Sequence, residues 1–282
     1  MKLYIEISNT QWQVHLDKGH HISIALDFNG EQPNGWDSAP ATAQTFAAGD
    51  FIADTREGGS CNVTEYRFTP HCNGTHTECV GHIVNNPITV HRALEDALLP
   101  ATLISVEPES FATATDEATH LADNSDYVIT QRCIAEKLAK QLAKLSNAVH
   151  FNSALVIRTL PNNSDKQQQQ YSDFIPPYLS KDAMEYINSI GVRHLLVDIP
   201  SVDRMSDGGE LKAHRTYWAL PAQEKHISDP EQNPNLTKTI TEFIYVPSQV
   251  QDGVYLLNLQ IPAFVTDAAP SRPILFPVSE AN

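Results

Sequence analysis

The sequence predicts a single α+β domain spanning residues 1–282, and three observations predict it. Segments that alternate apolar and polar residues outnumber segments with helical spacing. The two kinds are interspersed, without the strict strand–helix alternation of a parallel α/β fold. The 282 residues, 41% of them hydrophobic, suffice for one sizeable core, and neither a fixed-period repeat nor a linker-like stretch divides them.

The elements follow in chain order. Leu3, Ile5 and Ile7 alternate with polar neighbours, and Lys18-Gly19 offers a turn before a second strand-like stretch, HHISIALDF. Residues 29–60 are rich in Gly, Pro, Asn, Asp and Ala and read as a long loop, a form that often serves as a lid. Further strands are expected at 102–107, 154–160, 194–199, 239–246 and 253–261. A helix is expected over 130–147, where Ile134, Leu138, Leu142 and Leu145 recur at helical spacing. A second is expected over 181–190 on Met184, Ile187 and Ile190, with Ser180 as N-cap and Gly191 as stop. The run Lys166–Gln170, KQQQQ, reads as a low-complexity surface loop without function.

Composition narrows the function classes. With 34 acidic and 19 basic residues the formal charge is -15, a field that repels phosphate backbones, so no nucleic-acid partner is expected. The N-terminus lacks the basic and apolar regions of a signal peptide, and no run approaches the apolar length of a membrane span. Cys61, Cys72, Cys79 and Cys133 are too sparse for a disulfide-built module; reduced thiols and a cytoplasmic location are expected.

The chemistry concentrates in His71–His82, HCNGTHTECVGH. Nitrogen, sulfur and carboxylate donors that converge on one point make a metal site. On extended backbone, residues of one parity face the same way, which groups Cys72, His76, Glu78 and His82. Gly74 leaves room for a ligand or another backbone. His71 has the other parity and reads as a core or supporting residue. The alternative is a half-buried polar strand and turn. Cys72 and Cys79 are too far apart for a redox CxxC pair.

The stretch resembles the signature H-x-G-T-H-x-D-x-P-x-H of the metal-dependent cyclase-like hydrolases, a family that includes bacterial kynurenine formamidase and isatin hydrolase. Gly74, Thr75, His76 and His82 match in place; Cys72 stands for the first histidine, Glu78 for the aspartate and Val80 for the proline. HHISIALDF is similar to the family's opening strand, and HLLVDIPSVD followed by His214 to its central strand and later histidine ligand. Glu242 in TITEF stands where the family has a glutamate ligand, and the closing segment with Arg272 is also similar.

The resemblance implies a swivelling β/β/α fold, a homodimer or higher homo-oligomer, and one or two metal ions. Cys72, His76 and Glu78 would hold the first, and His214 with Glu242 a second that shares Glu78. His82 would be the catalytic proton shuttle, its alternative role being a further ligand. A thiolate at position 72 favours zinc, with manganese as the alternative. The implied reaction is arylformamidase-like: metal-activated water attacks the carbonyl of a small amide substrate, the chemistry of kynurenine formamidase in tryptophan catabolism. Phe28, at the start of the long loop, and Trp36 within it are candidates for an aromatic substrate wall. The competing readings are a lactone or ester hydrolase, or a metal- or ligand-binding member that has lost catalysis. Asp198, Ser201 and Asp203 in DIPSVD are left outside the catalytic set.

Overall fold

Eleven strands from both ends and the middle of the chain join one mixed sheet in a computed structural model that describes residues 2–7, 9–144, 151–230 and 233–281. In chain order they are β1 (Leu3–Ile7), β2 (Thr10–Val14), β3 (His20–His21), β4 (His76–Cys79), β5 (Leu98–Val106), β6 (Ala154–Thr159), β7 (His194–Val197), β8 (Thr239–Glu242), β9 (Gly253–Asn258), β10 (Ala268–Pro270) and β11 (Ile274–Glu280). The spatial order is β1-β2-β11-β9-β5-β6-β7-β8-β4-β10, with β3 on β11. β5, β6, β7 and β8 run parallel; β4 pairs antiparallel with β8, and β10 antiparallel with β4. The architecture is α+β, as the sequence predicts.

The parallel centre is buried on both faces, which is why its segments read as nearly continuous apolar runs. One face packs Ile104, Leu155, Ile157, Leu195 and Val197 against the helices. The other packs Leu103, Val156, Leu196, Leu257 and Leu275. Neighbouring residues thus divide between the two cores, as the two-residue period of a strand requires.

Five helices are described: α1 (Pro70–Asn73), α2 (Val90–Ala93), α3 (Gln131–Leu142), α4 (Lys181–Ser189) and α5 (Lys212–Tyr217). α3 buries Ile134 and Leu138 and starts at Thr130, whose side chain accepts from Cys133 N at 3.2 Å. The expected helix to 147 is shorter, and its Leu145 lies outside the described residues. α4 buries Met184 and Ile187; Ser180 Oγ accepts from Ala183 N at 3.0 Å, and Gly191 beyond it takes φ 82. Among the described residues no helix is long and apolar enough to cross a membrane.

Residues 29–60 are more ordered than a loop. Thr42–Thr45 pairs antiparallel with Thr64–Arg67, and Ala47–Ala48 with Phe51–Ile52. Both faces of this ribbon are largely exposed, so no hydrophobic alternation marks it. The KQQQQ run is also more than surface filler. Lys166 Nζ, mostly buried, reaches Asp198 Oδ2 at 2.8 Å, and Gln169 O accepts from Asn34 N at 3.1 Å. Of HHISIALDF only His20–His21 is strand, and Ser23 bridges to Ile244.

Candidate metal centre

The site is built on β4 and β8. Strand parity turns His76 and Glu78 to one face of β4, while Thr77 hydrogen-bonds Thr241 on the next strand at 2.8 Å. Pairing Glu242 opposite His76 brings those side chains together, with His76 Nε2 3.4 Å from Glu242 Oε2. β8 stops at Glu242 because Phe243 turns to φ 54. The turn lets Phe243 O accept from Thr75 Oγ1 at 2.5 Å and lets its N–H donate to Ile199 O at 3.1 Å. The motif threonine therefore ties together the two strands that carry His76, Glu78 and Glu242.

His214 enters from α5. Asp203 holds that helix start and its histidine at once: Oδ1 accepts from Ala213 N at 2.6 Å, and Oδ2 from His214 N at 3.2 Å and Nδ1 at 2.5 Å. The free edge of His214 then meets the carboxylates, Nε2 lying 2.9 Å from Glu78 Oε1 and 3.8 Å from Glu242 Oε1. Glu242 Oε1 also accepts from Val202 N at 2.8 Å.

Residues 70–73 are one helical turn, not extended chain, so parity does not govern them. Successive side chains on a helix point about 100° apart. The turn brings His71, and not the Cys72 thiol, into the groups whose ligand atoms converge among the described residues: His71, His76 and Glu78; His71, His82 and Asp267; Glu78, His82 and His214. His71 Nδ1 lies 3.0 Å from Glu78 Oε2, and Nε2 hydrogen-bonds Asp267 Oδ2 at 3.0 Å. His82 follows β4 on a short 3₁₀ turn, its ring stacked on His71 at 4.2 Å. His82 Nε2 is 4.0 Å from Glu78 Oε2, and Nδ1 is 3.4 Å from Asp267 Oδ2.

One pattern runs through the cluster. His76 Nδ1 bonds Gly74 O at 3.0 Å, His214 Nδ1 bonds Asp203, and His71 Nε2 bonds Asp267. Each ring is anchored by its outer nitrogen and turns its inner nitrogen toward Glu78 or Glu242. Of these inward atoms, His76 Nε2 and Glu78 Oε2 are buried without a hydrogen-bond partner. A buried polar atom without a partner costs about 1–3 kcal/mol. Imidazole nitrogens and carboxylate oxygens so arranged fit a divalent cation.

The electrostatics agree. Burial alone would raise the Glu78 pKa, but the charges on His82 and His214 outweigh it and hold the carboxyl well below the usual range. Burial opposes charge on His214 as well, yet Glu78 and Asp203 raise its pKa well above that of a free imidazole. Against the same burial penalty, Asp267 and Glu78 push His71 up to about 10. The carboxylates thus favour the protonated forms of His71 and His214, protons that a metal ion would displace.

His76, Glu78, His214 and Glu242 are almost wholly buried, and the cluster opens to solvent through His71, His82 and Asp267, whose side chains are 23%, 30% and 40% exposed. A cavity of about 440 Å³ lies against the other side of α1 and the Gly74–Thr75 corner, lined also by Phe68, Ser271 and Arg272. A Cβ built on Gly74 would meet nothing within 4 Å, so the glycine keeps that corner open. Neither Phe28 nor Trp36 lines this cavity. Phe28 packs tilted against Tyr66 at 4.7 Å and approaches Phe68 at 6.4 Å. Trp36 is exposed, on a loop joined to α1 by Gly35 N donating to Cys72 O at 3.1 Å.

His71, Asp203 and Asp267 are thus additions to the sequence-derived set. The signal for His71 was the proline at the first helical position and the glycine after the turn, which together mark 70–73 as helix. Asp203 stood in DIPSVD, and Asp267 carried no local signal.

Known proteins share this framework. A potential metal-dependent hydrolase with cyclase activity superposes with a TM-score of 0.56 at 18% identity, covering 92% of this chain and 98% of its own. A predicted metal-dependent hydrolase from Bacillus stearothermophilus gives 0.56 at 16% identity, again covering 92% of this chain and 98% of its own. An isatin hydrolase bound to the product analogue thioisatinate gives 0.57 at 14% identity, covering 93% of each chain. No curated protein sequence matches. The Cyclase family model matches residues 4–204, and the chain belongs to that family.

Proposed function

We propose that the protein is a metal-dependent hydrolase of a non-peptide C–N bond in a small amide, arylformamidase-like or acting on a cyclic amide. The observation that carries the reading is the convergence of three anchored histidines on Glu78 and Glu242, with His76 Nε2 and Glu78 Oε2 buried and unpartnered. The family membership and the isatin hydrolase likeness support it.

In this reading His71, His76, His214, Glu78 and Glu242 would hold the metal, as one ion or two sharing Glu78. When bound, the metal supplies an acidified water near neutral pH and a positive charge for a developing oxyanion. Glu78 would offer both oxygens, one beside His214 and one beside His71. His82, half-open to solvent and 4.0 Å from Glu78, is placed to take a proton at Nε2 and return it to the leaving amine. The Cys72 thiol lies outside the converging groups, so the softness argument that favoured zinc does not apply to this donor set, and zinc and manganese both suit it.

We extend the proposal to a homodimer or higher oligomer, supported by the exposed Phe51, Ile52, Val63 and Tyr66 on the ribbon. A cytoplasmic setting is supported by the four free cysteines. The test is metal analysis of the purified protein together with hydrolysis of N-formylkynurenine, isatin and a simple lactone. Metal with amide turnover is the expected result. Bound metal with turnover of the lactone alone makes it an esterase, and bound metal without turnover of any makes it a binding protein.

A further inference from the structure

We propose that Asp267 is a positioning residue of the metal centre: it fixes which nitrogen of His71 is free to ligate and holds the His82 ring in register. The inference rests on the metal-centre reading above and adds a residue to it.

The backbone around Asp267 is held on both sides. Ala268 pairs with Glu78 in the β10–β4 register, and Asp267 O accepts from Cys79 N at 3.0 Å. One residue earlier, Thr266 O accepts from Val90 N at 2.8 Å, and Thr266 Oγ1 donates to Ala268 O at 2.7 Å. The side chain is therefore delivered to one place, beside the open edge of the cluster.

There a single oxygen serves two rings. Asp267 Oδ2 is 3.0 Å from His71 Nε2 and 3.4 Å from His82 Nδ1, and the rings stack at 25°. A carboxylate accepts and does not donate, so the His71 proton is drawn to Nε2. In the neutral ring that leaves the Nδ1 lone pair 3.0 Å from Glu78 Oε2, an oxygen that no other donor satisfies. Once the ring is neutral, the two atoms lie close enough together to serve one cation side by side. Asp203 does the same for His214 from the opposite side, through Nδ1. The cluster is thus held between two outer carboxylates, one buried and one at the solvent edge. Hydrogen bonding from the outer nitrogen fixes the tautomer and raises ligand basicity, and losing such a partner typically weakens metal binding about 10–100-fold. For His82 the same contact leaves Nε2 as the atom facing Glu78.

A merely structural Asp267 would pin β10 to α1 and nothing more. Two readouts separate the roles. The first is the tautomer of His71 in metal-free protein labelled with ¹⁵N-histidine, read from two- and three-bond ¹H–¹⁵N correlations at a pH high enough to leave the ring neutral. The second is zinc affinity by competition with a chromophoric chelator. Asp267→Ala is expected to shift His71 away from the Nε2–H tautomer and weaken zinc binding about 10–100-fold. Asp267→Asn keeps one acceptor oxygen and should recover part of both. In a His71→Gln background, Asp267→Ala should have little further effect on affinity, because it acts through the missing ring. Unchanged tautomer and affinity in Asp267→Ala, or full additivity with His71→Gln, overturns the inference. If Asp267→Ala does not fold, an Asp267→Asn protein with wild-type zinc affinity and tautomer overturns it equally. Wild-type protein that binds neither zinc nor manganese removes the hydrolase reading instead, while the tautomer shift still reads the role of Asp267 toward His71.

Discussion

Replacing Asp203 with asparagine tests how the centre is held without touching any group that would ligate. Both Asp203 oxygens face N–H donors: Oδ1 faces Ala213 N at 2.6 Å, and Oδ2 faces His214 N at 3.2 Å and Nδ1 at 2.5 Å. Asparagine has one oxygen and one amide nitrogen. In either flip the nitrogen opposes a donor, at Ala213 or at the imidazole. If the amide opposes Ala213 N, a buried donor loses its partner, at about 1–3 kcal/mol of stability. If it opposes the imidazole, His214 reverses its tautomer and places a proton on Nε2, the atom 2.9 Å from Glu78. Zinc affinity then falls about 10–100-fold, or about 1.4–2.7 kcal/mol. The assays are urea unfolding of metal-free protein and a zinc competition titration. Stability and zinc affinity both within error of the parent would refute the assignment of Asp203 as the His214 anchor.

Three further outcomes follow from other parts of the chain. His71→Gln should lower the metal content of the purified protein whereas Cys72→Ser should not, and metal analysis of the two variants showing the reverse would restore the thiol as ligand. His194 is wholly buried, and burial, reinforced by Arg193, lowers its pKa from 6.5 to about 4. Protons therefore bind the unfolded chain more readily, so stability is full above about pH 6.5 and declines by ~3 kcal/mol as pH falls to about 4; a His194→Gln protein whose urea midpoint keeps the parent's slope in that window would rule this out. Lys166→Met removes the ion-pair partner of Asp198, a fully buried carboxyl whose pKa burial already raises. The expected loss is about 3–5 kcal/mol, and thermal unfolding at the parent's temperature would show the pair to be dispensable.

The parts of the site on strands were legible because strand parity is a local rule. It put His76 with Glu78 and turned Glu242 inward, and the β8–β4 register brought the three side chains together. His214 was legible only through the family resemblance, since its helix is short and begins from a left-handed Leu211. Parity failed at His71 and Cys72, where one helical turn changes which neighbour faces the cluster. Asp267 is 196 residues from His71, and a lone aspartate in FVTDAAP has no pattern that announces a long-range partner. The ribbon after residue 41 was read as loop because its strands are exposed on both faces and carry no apolar period. Lys166 is hidden among the glutamines around it, although its amine reaches a buried aspartate that composition cannot reveal.

The central claim is that imidazoles from α1, β4 and α5 share a metal with Glu78. Anomalous diffraction from a crystal of the full chain soaked in zinc tests it most directly. The account predicts a peak about 2.0–2.2 Å from a Glu78 oxygen and from the inward nitrogens of at least two of His71, His76 and His214. A peak at Cys72 Sγ without Glu78, or none within the cluster at saturating zinc, would contradict it.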